Sequence, residues 1–279
     1  MTEIGDRDAE RRVLLPGRPD VTLRLSWAAA TDTGRRRQQN EDSFIAQPPV
    51  FAVADGMGGH AAGDIASGAV VSRLGEISRS DFTEPDSIDA SLRAATDDIE
   101  RLAGDLPMGV GTTVTGAALT VHAGEPYFAI FNIGDSRTYL YDQGDLTRVT
   151  VDHSVVQELV DAGLISEQEA EHHPDSNVIT RAVGFNAEPQ PDYWMLPIRP
   201  NLRLLVCSDG LTKEVSDDRI ARYLASGLDA VDTAHALIDA ALAAGGRDNV
   251  TAVIVDVIEY AGEAELDDTI PRNRGASGA

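Results

Sequence analysis

The chain has 279 residues, of which 42% are hydrophobic and 25% charged, and its formal net charge is −23 at pH 7. This composition suits a globular core and is too rich in Leu, Ile and Val for a disordered chain. The acidity argues against nucleic-acid or anionic-membrane partners, whose phosphates would be repelled, and it is compatible with cation binding.

The length allows one large domain or two ordinary ones. The single cysteine, Cys207, lies in an apolar run and excludes an intrachain disulfide, which fits a reducing compartment. Charged residues begin at Glu3, leaving no apolar signal core, and no run approaches the roughly 18 apolar residues of a membrane helix. A cytoplasmic, monomeric protein without a membrane partner is expected. Lys213 is the only lysine; the other basic residues are arginines.

Residues 1–20 are charged and carry Pro16 and Pro19, so they read as a flexible N-terminal arm. Leu23, Leu25 and Trp27 alternate within 21–30, predicting a strand. Short strands are expected at 43–46 and 50–54, separated by a Pro48-Pro49 turn. Gly63-Asp64 opens a helix that Asp64 can cap, with Ile65, Val70, Leu74 and Ile77 near helical spacing. The spacing of Ile88, Leu92, Ala95, Ile99 and Leu102 predicts a second helix over 87–103. Two successive helices would cover one sheet face.

Closely spaced strands follow at 114–122, 126–133, 137–141 and 145–149, which implies antiparallel pairing. Residues 150–190 are polar, with a short helix over 154–162 closed by Gly163 and a capping box at Ser166 and Glu169. This segment is either a surface connection or a lid. Strands at 193–198 and 202–207, helices at 217–225 and 229–243, and a last strand at 250–258 complete the core. From Glu259 the chain is acidic and then Gly/Ala/Arg-rich, which predicts a disordered tail over 259–279.

Three acids stand at the ends of apolar runs. Val50 to Ala54 leads into Asp55-Gly56, Leu204 to Cys207 leads into Ser208-Asp209-Gly210, and Asp248-Asn249 precedes Val250 to Val255. One Asp-Gly is only a turn. Three such acids, far apart in sequence, suggest one shared site. No Cys/His pattern of the zinc kind accompanies them, and the calcium-loop spacing is missing, so an all-oxygen site for Mg²⁺, Mn²⁺ or Ca²⁺ is the reading. Arg35-Arg36-Arg37 offers guanidinium groups suited to phosphate oxygens; the bland alternative is a surface salt-bridge patch.

Six stretches carry a family resemblance. They are Thr31-Asp32-Thr33-Gly34 through Arg37-Gln38-Gln39-Asn40-Glu41-Asp42-Ser43; Val53-Ala54-Asp55-Gly56-Met57-Gly58-Gly59-His60; Gly111-Thr112-Thr113; Asn132-Ile133-Gly134-Asp135-Ser136-Arg137; Cys207-Ser208-Asp209-Gly210-Leu211; and Arg247-Asp248-Asn249-Val250-Thr251. In this order they resemble the metal-dependent protein phosphatases (PPM, the type 2C serine/threonine phosphatases) in bacterial form.

The resemblance implies an α+β fold, a four-layer αββα sandwich with two antiparallel sheets flanked by helix pairs. The catalytic domain would span 21–258, with a flap at about 150–190. The resemblance also implies two Mn²⁺ or Mg²⁺ ions bridged by Asp55. The Gly56 carbonyl would help hold one ion and Asp209 and Asp248 the other, while Asp42 and, more weakly, Glu41 would act near or through metal-bound water. Arg37 matches the phosphate-holding arginine, and a hydroxide shared by the metals would attack phosphorus directly. Asp135 and Arg137 match a motif expected to support the fold.

Two positions depart from the family pattern. Met57 stands where eukaryotic members carry a histidine proposed as general acid, so His60 is read as a local hydrogen-bonding residue. The acid for a third ion is expected at Asp105, one residue from the counted position, Leu106. The implied substrates are phosphorylated proteins, namely Ser/Thr kinases or their targets. Two other readings are a phosphatase-fold binding module without activity and a phosphoesterase acting on small phosphates. Against the last, no phosphate-loop motif G-x-x-x-x-G-K-[ST] occurs.

Overall fold

The fold is described from a computed structural model, which describes residues 1–5, 8–58, 62–77, 80–103, 110–170, 172–185 and 188–261. In chain order the strands are β1 (Glu3–Gly5), β2 (Asp8–Leu15), β3 (Arg18–Asp32), β4 (Asp42–Gln47), β5 (Val50–Met57), β6 (Gly111–Thr112), β7 (Val114–His122), β8 (Glu125–Ile133), β9 (Arg137–Asp142), β10 (Asp145–Arg148), β11 (Asp192–Pro197), β12 (Arg203–Cys207) and β13 (Val250–Ala261). The helices are α1 (Ala62–Gly75), α2 (Pro85–Ala103), α3 (Val155–Asp161), α4 (Glu167–Ala170), α5 (Asp209–Thr212), α6 (Asp217–Leu224) and α7 (Ala230–Ala244).

Among the described residues the strands form two sheets, ordered β1-β4-β5-β7-β8-β11, with β6 added to β5, and β10-β9-β12-β13-β3-β2. The pairings are antiparallel except that β1 runs parallel to β4; short connections join β2 to β3, β4 to β5, β7 to β8 and β9 to β10, while the other antiparallel pairs are distant in sequence. Inward residues alternate along each strand, so Leu23, Leu25 and Trp27 of one sheet meet Phe51, Leu119 and Phe128 of the other in a closed apolar core. Ile45, Val50 and Ala52, on the outer face of the first sheet, pack against Val70 and Leu74 of α1 and Ile88 and Leu92 of α2. Leu205 and Ile254, on the outer face of the second, pack against Ile220 of α6 and Leu237 of α7. Helices, sheet, sheet and helices thus form the expected four layers.

Trp27 is 2% exposed, and its ring meets Phe51 edge-on across the sandwich at 5.4 Å between centroids. Trp27→Ala is expected to cost about 3–5 kcal/mol through lost burial and an uncollapsed cavity. A lowered urea midpoint with unchanged slope would register it.

The N-terminal arm is a misreading. β2 pairs with β3 along its whole length, and Val13 and Leu15 are buried in the core between the sheets. Arg12 and the solvent-facing Leu14 flank Val13, so charge on the outer face obscures a period-two pattern. Pro16 and Gly17 merely form the turn into β3. At the other end, β13 continues three residues beyond 258, with Tyr260 opposite Leu23 and Ala261 opposite Thr22. The rest of the tail, 262–279, lies outside the described residues.

Within 150–190 the expected helix is α3, capped by the Ser154 side chain, with Gly163 at φ 68° beyond its end. Ser166 and Glu169 form the capping box reciprocally, at 2.8 and 3.2 Å. The segment returns to β6 through Thr112 and Val183, which exchange backbone hydrogen bonds of 3.0 and 2.9 Å. Asp64 lies inside the first turn of α1, which starts at Ala62. No helix among the described residues is long and apolar enough to cross a membrane.

Candidate metal centre

Strand ends bring the acids together. In the first sheet Asp42 opens β4 directly opposite Asp55 of β5. In the second, Cys207 of β12 pairs with Ala252 of β13. Asp209, two residues past the end of β12, therefore comes beside Asp248, two residues before the start of β13. Gly210 permits this: a side-chain carbon there would overlap the Asn249 carbonyl oxygen. Ser208 donates its backbone N–H to Thr251 at 3.1 Å and closes the corner.

Asp42 joins the two sheets. One carboxylate oxygen, Oδ2, accepts from Ser208 Oγ at 2.8 Å and Thr251 Oγ1 at 2.6 Å, and the residue is fully buried. Burial, with the charges of Asp209 and Asp248, pushes the Asp42 carboxyl up to about 7 against the pull of the two hydroxyls. The Gly-Thr-Thr stretch holds the backbone of Asp55. Thr113 N–H and Thr112 Oγ1 each donate to the Asp55 carbonyl at 2.9 Å, and Asp55 N–H donates to Thr113 Oγ1 at 3.1 Å. Thr113 Oγ1 also meets Ser136 Oγ at 2.8 Å, tying this strand to the Gly134-Asp135 loop.

Arg37 rides on the loop between β3 and β4. Asn249 fixes that loop: its side-chain amide donates to the carbonyls of Thr33 and Gln39, both at 2.9 Å, and its Oδ1 accepts from Glu41 N–H at 2.9 Å. The Arg37 guanidinium then forks onto Asp248, at 2.8 Å to Oδ1 and 2.9 Å to Oδ2. Hydrogen bonding by Asp248 raises the arginine further above its ordinary value.

Glu41 contributes through its main chain: its carbonyl accepts from Ser67 Oγ at 2.6 Å and Gly56 N–H at 3.2 Å. Gly56 abuts Gly63 of α1, and a side-chain carbon at Gly56 would overlap the Gly63 carbonyl. The chain can therefore turn from Asp55 into α1 with no side chain between them. Asp105 and His60 lie outside the described residues. Met57 ends β5.

Two roles escape the sequence reading. Asp135, expected to support the fold, also lines a cleft of about 1180 Å³ together with Asp209, Asp248 and Lys213. Burial and the Asp209 charge push its carboxyl up to about 7. The signal is present in the sequence: the apolar run Phe128 to Ile133 ends in Gly134-Asp135, as the other three runs end or begin with an acid. Arg137 does brace the fold, forking onto Asp152 at 3.0 and 2.7 Å. The loop-fixing role of Asn249 depends on tertiary contacts and leaves no local sequence signal.

Burial pushes the Asp55 carboxyl well above the carboxylate range, and Asp42, Asp209, Asp135 and Asp248 add to it. Among the described residues no three Asp, Glu, His or Cys side chains already surround a common point. Asp248 is instead engaged by Arg37, and Asp209 by Lys213. Asp42 Oδ1 and Asp209 Oδ1 are buried without a hydrogen-bond partner. Orphaned carboxylate oxygens, an excess of negative charge and an all-oxygen donor set fit a hard divalent cation.

The protein phosphatase 2C family model matches residues 32–244. The serine/threonine protein phosphatase PstP of Mycobacterium tuberculosis is 42% identical over 248 residues, which are 86% of this chain and 46% of that protein. The chain thus spans about half the length of that relative. The serine/threonine phosphatase stp of Listeria monocytogenes is 34% identical over 239 residues, covering 81% of this chain and 93% of that one. A crystal structure of the M. tuberculosis PstP phosphatase superposes with a TM-score of 0.76 at 41% identity, covering 84% of this chain and 99% of the other. The PstP catalytic domain in complex with two manganese ions gives 0.76 at 38% identity, covering 86% and 100%. The strand-end acids, the two-sheet sandwich and these matches together make this chain a member of the protein phosphatase 2C family.

Proposed function

We propose that the chain is a Mn²⁺- or Mg²⁺-dependent phosphatase that hydrolyses phosphoserine and phosphothreonine in proteins. One observation carries the reading: Asp42 of one sheet is hydrogen-bonded to Ser208 and Thr251 of the other, and the charges of Asp42, Asp209, Asp135 and Asp248 all act on the buried Asp55, beside the Arg37 fork on Asp248. Divalent ions held by Asp55, Asp209 and Asp248, with the Gly56 carbonyl, would activate water for direct attack on phosphorus and polarise the phosphoryl oxygens.

The chain's own groups do the rest. Arg37 exchanges the Asp248 carboxylate for two phosphate oxygens, a fork geometry that lysine cannot reproduce. Asp42, tied to Ser208 and Thr251 through one oxygen, has the other buried without a hydrogen-bond partner, an acceptor site for a cation or its water. Thr112 and Thr113 fix the Asp55 backbone so that its carboxylate stays placed. The substrates are proposed to be Ser/Thr kinases or their targets. A cytoplasmic location is proposed on the lone, buried Cys207.

Phosphate release from a phosphothreonine peptide and from a nucleoside monophosphate, each with Mn²⁺, tests the substrate class. The peptide should be hydrolysed with the higher kcat/KM, and the reverse order would assign the site to small phosphates. Arg37→Ala should raise KM for the peptide about 10- to 100-fold, the scale of one charge-assisted hydrogen-bonding group, while Mn²⁺ binding persists. An unchanged KM would remove Arg37 from phosphate binding.

A further inference from the structure

Lys213 is the only lysine in the 279-residue chain, and no motif of the family resemblance includes it. It follows the four-residue helix α5, one turn beyond Asp209, so the two side chains share a face. The Lys213 ammonium is ion-paired with Asp209 Oδ2. The side chain is 35% exposed and lines the cleft alongside Asp135, Asp209 and Asp248. Its charge is also felt at Asp135 and Asp55. Asp209, Asp135 and Asp55 therefore all feel one ammonium group, while Asp248 is held by Arg37.

We propose that Lys213 is a tethered counter-cation that competes with divalent metal for Asp209 and so sets the metal concentration at which the site loads. This rests on the metal-centre reading above. Without metal, the ammonium neutralises part of the acid cluster and keeps Asp209 in place. When a dication arrives, like-charge repulsion and the loss of the Asp209 contact displace it. Lys213 is thus a positioning residue whose effect should appear in metal affinity before it appears in chemistry. Arg37 stands in the same relation to Asp248, but it also has the phosphate to bind. Lys213 has no such second partner in the reading.

Calorimetric titration of Mn²⁺ into the chelator-stripped full chain tests the proposal. Lys213→Met keeps the stem and removes the charge, and Lys213→Gln is the alternative if the methionine variant folds poorly. Either should bind Mn²⁺ about fivefold more tightly than the unaltered chain, the scale of one broken ion pair in a partly exposed cleft. The stripped variant should also melt at lower temperature, because its acids lose their neutralising partner, and should gain more from Mn²⁺. Lys213→Arg should load like the unaltered chain. Arg148→Gln removes a charge from the same cleft without touching a metal acid, and it should leave the affinity within about twofold. Equal or weaker Mn²⁺ binding by the lysine variants, or equal tightening by Arg148→Gln, overturns the proposal. Failure of the unaltered chain to bind Mn²⁺ at all would instead remove the metal-centre reading, and the role of Lys213 with it.

Discussion

Asp55→Asn is expected to abolish phosphate release, by about three orders of magnitude or more, and at the same time to stabilise the metal-free protein. The first effect follows from chemistry: an amide is a neutral, weaker ligand, and losing several kcal/mol of transition-state stabilisation costs that much rate. The second follows from the fold. Burial and four neighbouring carboxylates hold the Asp55 pKa well above its ordinary value, so the ionised form works against folding near neutral pH. Asparagine keeps the shape and removes the charge. Stripped Asp55→Asn should therefore unfold at a higher temperature than the stripped unaltered chain, and Mn²⁺ should raise only the latter. Normal turnover in the variant would refute the assignment of Asp55. A lower melting temperature without metal would refute the effect ascribed to its charge.

The second large effect is a coupling of pH to metal. Asp42 and Asp135 are each pushed up to about 7 from an ordinary 3.8, chiefly by burial. A carboxyl whose folded-state pKa is raised binds its proton more tightly in the folded chain. Its contribution to stability is complete below about pH 4 and is lost as pH rises through about 7. The metal-free protein should thus lose on the order of a few kcal/mol between pH 5 and pH 8. Saturating Mn²⁺ should flatten this dependence, because the cation replaces the protons, and Mn²⁺ affinity should rise over the same interval. Thermal unfolding across that range, with chelator and with Mn²⁺, gives both curves. A stripped protein whose stability is flat or rises with pH would contradict this coupling.

Much of this arrangement is legible in the amino-acid sequence. Apolar runs bounded by acids point to Asp55, Asp209 and Asp248, and the structure has all three beside the ends of buried strands. The strand Val114–His122 and the Ser166/Glu169 capping box are local patterns, and both appear as expected. Patterns fail where tertiary context decides. In β2, charge on the outer face hides the buried Val13 and Leu15. The single turn of α5 starts at Asp209-Gly210, a dipeptide that reads as a turn, yet it is what places Lys213 over Asp209. Asp135 carries the same run-plus-acid signal as the others, but its motif points to a supporting role and masks it. Asn249, Ser208 and Thr251 fix the site through partners dozens or hundreds of positions away. No spacing rule reaches that far.

The proposal that acids from two sheets form one divalent-metal phosphatase centre is tested most directly by measuring phosphate release from a phosphothreonine peptide while Mn²⁺ is titrated into the chelator-stripped chain. No release is expected without metal, followed by a rise that saturates as the ions load, with Asp55→Asn and Asp209→Asn flat throughout. Release that persists in chelator, or that stays absent at saturating Mn²⁺, would contradict it.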